Sequence, residues 1–193
     1  GNRVAFTTAR LPDVTEGEEN GTTKQQLKLA YGPDSAREFL PAGMDVSAVR
    51  FSPDGSMISF LYTAGDEEKR AVWGIPVGGG GHRKLAEVED ADVRDYAWSP
   101  DGSTLYLLAA RVGAEVDAEP DPVAIPGHVS AIQIAPGGRT AIVESAPSPK
   151  VDDSYTSKRV HVIDLESGRL LEVVETPGKL GDVELSPDGR RIA

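Results

Sequence analysis

The chain has 193 residues, of which 31 are Asp or Glu and 20 are Lys or Arg, so its formal net charge at pH 7 is −11. This surplus of acid disfavours binding that relies on clustered Lys and Arg, so we expect neither nucleic acid nor an anionic membrane surface as a partner. The absence of Cys excludes a disulfide framework, and no apolar run approaches the roughly 20 residues of a membrane helix, so we expect no membrane insertion.

Alternating apolar residues predict a chain built from short β-strands. The first strand carries Val4 and Phe6 on one face and follows Gly1, so it matches the return strand of a hairpin. Later strands form antiparallel pairs, which are 26–31 with 37–41, 70–77 with 82–88, and 159–165 with 169–175. A weaker pattern predicts one short strand near 123–125.

A five-residue motif recurs between four further pairs of strands. It reads FSPDG at 51–55, WSPDG at 98–102, IAPGG at 134–138 and LSPDG at 185–189. Pro presets φ at the second position of a type I turn, Asp tolerates the third position, and Gly adopts the left-handed conformation that closes the hairpin. We therefore predict structural turns at Pro53, Asp54, Gly55, Pro100, Asp101, Gly102, Pro136, Gly138, Pro187, Asp188 and Gly189.

The spacing of these motifs predicts the fold class. Counting Gly1 as the end of a further turn, the turn glycines lie 54, 47, 36 and 51 residues apart. Repeats of about 40 to 50 residues built from short strands are typical of a β-propeller, in which each repeat is a four-stranded antiparallel blade. We predict one all-β propeller domain over 1–193, with approximate blades at 1–43, 44–90, 91–127, 128–177 and 178–193, the last one truncated. Three blade-sized repeats and two incomplete ones favour part of a larger propeller. The alternative is a ring closed as four blades, in which the strand at 180–186 pairs with NRVAFTT to complete the first blade.

No segment carries a recognisable catalytic or metal-binding motif. The chain has no G-x-S-x-G elbow, no Cys for a thiol nucleophile and no H-E-x-x-H spacing. The histidines His82, His128 and His161 are far apart in sequence, and His161 alternates with Val160 and Val162, which predicts a surface or inter-blade position on a strand. We therefore predict no catalytic, cofactor-binding or metal-binding residues in this chain, and we expect no cofactor.

Four stretches carry a resemblance to known repeats. VRFSPDGSMISFLY and YAWSPDGSTLYLL combine the turn with alternating apolar residues, and VHVIDLESGRLLEVV leads into VELSPDGRRIA. This pattern resembles the WD-like repeat of TolB-type propellers and of the propeller domain in prolyl oligopeptidase family serine peptidases, especially the acylaminoacyl peptidase-like branch. The irregular blades, the long polar inserts at 11–26 and 144–158, and the hairpin SKRVHVIDLESG are more similar to the peptidases.

The resemblance implies a non-catalytic role for this chain. In the peptidases the propeller restricts the access of peptides to a separate α/β-hydrolase domain, which carries the catalytic Ser, Asp and His. The partner would then be the peptide substrate of an attached hydrolase domain. The alternative is a TolB-like interaction propeller that binds a protein partner through its long loops. A ligand-processing propeller enzyme is disfavoured, because no Asp or Glu recurs at the alignable inner-strand positions.

Two further expectations concern the compartment and the assembly. The sequence suits an exported or periplasmic protein as well as a cytoplasmic one in bacteria, because the chain starts inside a repeat and we expect the true N-terminus to lie upstream. A piece of a propeller would expose apolar blade faces and edge strands. We therefore expect this chain to self-associate.

Overall fold

The computed structural model describes residues 3–10, 23–65, 67–111, 125–174, 179–181 and 183–193. The chain divides into two compact units, Gly1–Glu89 and Asp90–Ala193. Antiparallel β-sheets make up both units, and the described part contains one short helix. The expectation of a single domain with the blade boundaries given above stays a prediction.

The first unit contains two antiparallel sheets. One has the strand order β1 (Val4–Arg10), β2 (Lys24–Ala30) and β3 (Arg37–Glu38), and the other has the order β4 (Ser47–Phe51), β5 (Met57–Tyr62), β6 (Ala71–Pro76) and β7 (Arg83–Ala86). In the second sheet each strand pairs with the next one along the chain, as in a complete four-stranded blade.

One buried apolar cluster joins the two sheets of the first unit. It contains Leu27 and Leu29 from β2 and Ile58, Phe60 and Ile75 from the four-stranded sheet. Alternate residues of each strand supply these side chains, because successive side chains point to opposite faces of a sheet. The apolar period of the sequence therefore positions the two sheets face to face.

The second unit contains a two-stranded sheet and a four-stranded sheet. The first has the order β8 (Ala91–Trp98) and β9 (Leu105–Arg111), and the second has the order β10 (His128–Ile134), β11 (Thr140–Ala146), β12 (Arg159–Asp164) and β13 (Arg169–Val174). Helix α1 (Val151–Thr156) lies in the connection between β11 and β12. A single bridge between Leu185 and Ile192 marks the next hairpin.

The inner strands β11 and β12 of the β10–β13 sheet are buried on both faces. One face contributes Ala141, Val143 and Ile163 to a cluster that includes Ala97 and Leu108 of the β8–β9 sheet. The opposite face contributes Ile142 and Val160 to a cluster with Val183, near the C-terminal hairpin. Burial on both faces is what stacked blades require, because each blade covers the face of its neighbour.

Hydrogen bonds to the backbone also join neighbouring sheets of the second unit. The buried carboxylate of Asp95 on β8 accepts the N–H of Ile132 on β10 at 3.0 Å. The side chain of Gln133 donates to the carbonyl of Val183 at 2.5 Å and accepts the N–H of Leu185 at 3.1 Å. These side chains pair backbone groups that strand-to-strand pairing leaves open.

The four turns share one geometry. The glycine N–H donates to the carbonyl three residues earlier, at 2.8 Å for Gly55, Gly138 and Gly189 and at 2.9 Å for Gly102. Each glycine has a φ between 68° and 72°, the left-handed region that a residue with a Cβ rarely adopts. One repeated local structure therefore closes one end of the inner hairpins.

A network of serine hydroxyls and an aspartate carboxylate stiffens the three turns with the sequence Ser-Pro-Asp-Gly, which lie at 52–55, 99–102 and 186–189. Asp54 accepts hydrogen bonds from the Ser52 hydroxyl at 2.6 Å and from the Ser56 N–H at 3.0 Å. These bonds lower the pKa of Asp54 from 3.8 to about 2, and the bonds from Ser99 and Ser103 lower the pKa of Asp101 from 3.8 to about 2. Because the folded state holds these protons less tightly than the unfolded state, the carboxylates contribute stability above pH 3.8 that is lost as the pH falls toward about 2.

Replacing Asp54 and Asp101 together with Asn is expected to flatten the loss of stability in acid. Asn keeps an oxygen for the turn hydrogen bonds but does not titrate, so the free energy of unfolding should fall less between pH 3.8 and about 2 than in the wild type. Urea unfolding at several pH values measures this difference. An unchanged pH profile in the double variant would show that the turn carboxylates carry no such coupling.

The structure confirms the predicted all-β fold class. It also differs from the sequence analysis at two places. Part of the predicted strand near 123–125 lies outside the described residues, and Ile125 is not in a strand. The polar insert at 144–158 contains the end of β11 and helix α1, neither of which was predicted there.

Candidate functional site

In each unit, one cleft opens at the strand ends that lie opposite the repeated turns. The first, here named the Tyr62 cleft, occupies about 550 Å³ where β4 and β6 begin and β5 ends. The second, named the His161 cleft, occupies about 370 Å³ where β12 begins and β11 ends. None of the predicted turn residues lines either cleft.

The Tyr62 cleft is polar and carries charges of both signs, from Lys24, Asp45 and Arg70. Lys24 donates to the carbonyl of Gly43 at 3.3 Å, and Asp45 accepts the N–H of Gln25 at 2.7 Å. Both groups therefore help to hold the cleft wall. Any ligand here would compete with bonds that the protein already makes.

An aromatic cluster extends from the Tyr62 cleft along the four-stranded sheet. The ring centroids of Tyr62 and Trp73 are 5.8 Å apart in an edge-to-face arrangement, and those of Trp73 and His82 are 5.6 Å apart. The ammonium group of Lys84 lies 5.7 Å from the Trp73 ring. These contacts rigidify the outer strands, because edge-to-face pairs and cation–π contacts each add to the apolar packing.

The His161 cleft has a different chemical character. Its walls are mainly apolar and are formed by Pro126, Ala146, Pro147, Leu170 and Val173. Ser145, Ser157, Arg159 and His161 supply the polar side chains, and Arg159 is the one Lys, Arg, Asp or Glu among the described lining residues. A mainly apolar cleft with a few convergent polar groups is the usual composition of a small-molecule site.

Strand register brings Ser145 and His161 together. Ser145 on β11 lies opposite Arg159 on β12, and Val143 lies opposite His161, so Ser145 and His161 are diagonal neighbours on one face of the sheet. Ser145 Oγ and His161 Nε2 are 2.8 Å apart. Both side chains are buried, with exposed fractions of 3% and 4%.

The environment keeps the imidazole of His161 neutral. Burial, and secondarily the positive charge of Arg159, lowers the pKa of His161 below its usual 6.5. Nδ1 of His161 is buried and has no hydrogen-bond partner among the described residues. An unpaired N–H is rarer in protein interiors than an unpaired acceptor, so the geometry favours the tautomer with the proton on Nε2.

This tautomer determines the direction of the hydrogen bond. With the proton assigned to Nε2, His161 donates to Ser145 Oγ, and the Ser145 hydroxyl would then donate to another acceptor. A serine nucleophile needs the reverse direction, with the histidine accepting the hydroxyl proton and a third group orienting its other nitrogen. In the assigned tautomer, the pair presents a hydroxyl donor.

His161 is expected to titrate below pH 6.5, unlike a free histidine. Because its folded-state pKa is lowered, stability is full above pH 6.5 and declines as the pH falls through the folded-state value. NMR titration of the imidazole signals measures the pKa, and the variant His161→Gln, which retains a donor for Ser145, should lose this part of the pH dependence. A pKa of 6.5 or above for His161 would contradict the assignment.

The sequence analysis did not identify Ser145 or Arg159 as site residues. His161 was predicted at a surface or inter-blade position, and it lies on the face of β12 that packs in the cluster with the β8–β9 sheet. The alternation of Arg159, His161 and Ile163 indicates that these residues share one face of the strand. Ser145, the partner of His161 on β11, could not be identified without the strand register.

Two negative findings apply to the described part of the chain. Its side chains form no group of three or more His, Asp or Glu residues arranged to hold a metal ion. None of its helices is both long and apolar enough to cross a membrane.

Comparison with known proteins places the chain by its fold. No protein-family model matches the chain, and no curated protein has a matching sequence. Among solved structures, TolB from Acinetobacter baumannii matches with a TM-score of 0.67 and 17% identity, over 100% of this chain and 46% of that protein. A gluconolactonase from Xanthomonas campestris matches with a TM-score of 0.58 and 19% identity, over 86% of this chain and 60% of that protein.

A peptidase structure is also among the matches. An acylaminoacyl peptidase from Pyrococcus horikoshii also matches, with a TM-score of 0.40 and 15% identity, over 92% of this chain and 24% of that protein. The chain spans about half the length of the TolB structure. Together with the blades described above, these similarities show that the chain is a partial β-propeller, similar in structure to TolB-type propellers.

Proposed function

We propose that this chain is a non-catalytic propeller region that binds a protein partner at the strand ends opposite its repeated turns. The observation that supports this proposal is that the two ends of the strands in each unit are built differently. Within each unit, one end of the inner hairpins carries copies of a single closed turn, with the same glycine geometry in each copy. The opposite end of the strands in each unit carries connections of different length and composition, and the cleft of that unit opens there.

This inequality has a physical meaning in a repeated fold. Turns that serve only to close hairpins can be identical, because each one reverses the chain between two antiparallel strands in the same way. Connections that contact a partner have to differ, because each meets a different part of its surface. The connection from β5 to β6 and the one from β11 to β12, with helix α1, are of this second kind.

Site-specific photo-crosslinking in the source cells tests the proposal. A benzophenone side chain at Thr63 or Ser157, which line the two clefts, is expected to crosslink one discrete protein that mass spectrometry identifies. Matched controls at Ser56 and Gly137, which lie at the turn end of the same units, should give no such product. Crosslinks from the turn-end positions alone would overturn the proposal.

A second candidate function is the gating of peptide access to an attached α/β-hydrolase domain. It is favoured by the hairpin over 157–168, whose sequence is similar to that of the outer hairpin in prolyl oligopeptidase family propellers. In the structure this hairpin joins β12 to β13, and Asp164 accepts the N–H of Ser167 at 2.8 Å in its turn.

Sequencing the source gene beyond the codon for Ala193 separates the two functions. A downstream G-x-S-x-G followed by Asp and His in a βα pattern would support gating. In that case the crosslinked species at Thr63 and Ser157 should be the hydrolase domain of the same polypeptide. A stop codon after further blades alone would rule gating out and leave the interaction propeller.

A further inference from the structure

The Tyr62 cleft is lined by neutral polar side chains that the fold itself does not use. Its volume of about 550 Å³ lies within the roughly 300 to 1,000 Å³ typical of ligand pockets. Five of the lining side chains form no hydrogen bond with any described residue, and they belong to Thr23, Gln25, Ser47, Tyr62 and Thr63. Four hydroxyls and one amide can therefore bind a ligand without breaking a bond of their own.

The charged groups of the same cleft are already engaged. Lys24 and Asp45 bond to backbone groups at 3.3 Å and 2.7 Å, and Arg70 also has an interaction partner in the protein. A ligand that bound one of these groups would have to compete with the existing contact. The cleft therefore gives no advantage to an acid or an amine over a neutral ligand.

An apolar ligand is disfavoured for a different reason. It would cover the hydroxyls and the amide without forming hydrogen bonds in return, which costs free energy for each covered group. A ligand with several hydroxyls of its own avoids this cost. Because hydroxyls and amides both donate and accept, they can pair with the hydroxyls of a ligand whichever partner supplies the proton.

The surrounding structure holds the polar side chains in place. The Tyr62 ring makes edge-to-face contacts with Trp73 and His82, with centroids 5.8 Å and 6.4 Å away, so it offers a fixed apolar surface to the C–H groups of a ligand. Next to Ser47, Ala48 has a φ of 49°, and the pairing of β4 with β5 is irregular at this point. Strained backbone and bulges of this kind are common beside binding sites.

We propose that the Tyr62 cleft binds a neutral sugar, either a monosaccharide or a disaccharide. The sugar hydroxyls pair with the five neutral side chains, and the C–H groups of its ring pack against Tyr62. A free sugar and the terminal residue of a glycan share this chemistry. The inference goes beyond the proposed function, because it assigns a small-molecule ligand to one of the two clefts.

NMR titration of the full chain tests the proposal with defined probes, which are glucose, galactose, their methyl glycosides, maltose and lactose. At least one of them is expected to cause saturable shifts at residues 23–25, 45–47 and 61–63, with a Kd of about 1 to 10 mM. Binding of a methyl glycoside at least as tight as that of the free sugar assigns the ligand to the end of a glycan. Loss of binding in the methyl glycosides assigns it to a free sugar.

Three further compounds test the chemical argument. Cyclohexanol has the ring size of a sugar but only one hydroxyl, and it should bind at least about fivefold more weakly than the best sugar. Glucuronate and glucosamine should bind no more tightly than glucose, because the charged groups of the cleft are engaged. Absence of saturable shifts for every neutral sugar up to about 100 mM, or a charged analogue that binds about tenfold more tightly than glucose, would overturn the proposal.

Variants locate the bound sugar. Ser47→Ala and Thr63→Val each remove one hydroxyl and are expected to weaken binding about threefold to tenfold. Thr8→Val removes a hydroxyl from β1 that does not line the cleft, so this matched control should bind like the wild type. Wild-type affinity in both cleft variants would show that the sugar binds elsewhere and would also overturn the proposal.

Failure of this inference and failure of the proposed function give different results. Absence of sugar binding in the purified chain leaves the crosslinking from Thr63 and Ser157 unaffected. Crosslinking from the turn end alone removes the proposed function whatever the sugar titrations show.

Discussion

Replacing Gly127 with Ala is expected to destabilise the second unit by about 2 to 5 kcal/mol, from left-handed backbone strain and overpacking together. Gly127 has a φ of 93°, and a Cβ built on it would lie 2.2 Å from the carbonyl oxygen of Ala146. Backbone rather than a flexible side chain occupies that space, so the substitution can be accommodated only by moving the segment before β10 away from the end of β11. The movement would also open one wall of the His161 cleft.

A matched glycine provides the control for this prediction. Gly137 lies in an exposed turn, has no positive φ in the structure, and would place its Cβ in open space. Gly137→Ala should therefore change the free energy of unfolding by less than about 0.5 kcal/mol. Urea unfolding followed through Trp98, in a Trp73→Phe background, reports the second unit. Similar values for the two variants would show that Gly127 does not pass as close to Ala146 as described.

Replacing Phe60 with Ala is expected to destabilise the first unit by about 3 to 5 kcal/mol. Phe60 is fully buried on β5 and packs in the cluster that joins the two sheets of this unit. Truncation loses the transfer free energy of the ring and leaves a cavity that rigid strands on both sides close only in part.

The size of this effect can be compared with that of an exposed apolar residue. Val4 on β1 is 59% exposed, and Val4→Ala should change the free energy of unfolding by less than about 0.5 kcal/mol. Trp73 packs against the same cluster, so its fluorescence in a Trp98→Phe background follows the first unit. A loss below about 1 kcal/mol for Phe60→Ala would mean that the two sheets do not share a packed core.

Local chemistry made much of the fold predictable from the sequence. Pro53, Asp54 and Gly55 each suit one position of a tight turn, and an alternating pattern on either side specifies an antiparallel hairpin without reference to distant residues. The outer strands β6 and β7 could be predicted for the same reason, since their apolar alternation is interrupted by a glycine-rich turn. These features are determined by residues that are adjacent in the sequence, so the sequence alone is enough to predict them.

The parts that were missed depend on neighbours in space. Helix α1 is short and has no buried residue. Its sequence VDDSYT therefore lacks the apolar stripe from which a helix can be predicted. The pairing of Ser145 with His161 follows from the register of β11 against β12, and a shift of one residue would point each side chain to the opposite face. The neutral state of His161 depends further on burial by other strands. Composition could not reveal these relations.

We infer that, within each unit, the turn end and the cleft end of the blades have unequal roles. The absence of cysteine in the chain allows this to be measured with single-cysteine variants at Thr63 and Ser157 and at their turn-end counterparts Ser56 and Gly137. The measurement is the rate of maleimide labelling of each variant in the source cells, relative to the purified chain. We predict slower labelling in cells at Thr63 and Ser157, and equal rates in both settings at Ser56 and Gly137. Protection at the turn end, with free labelling at the clefts, would contradict the claim.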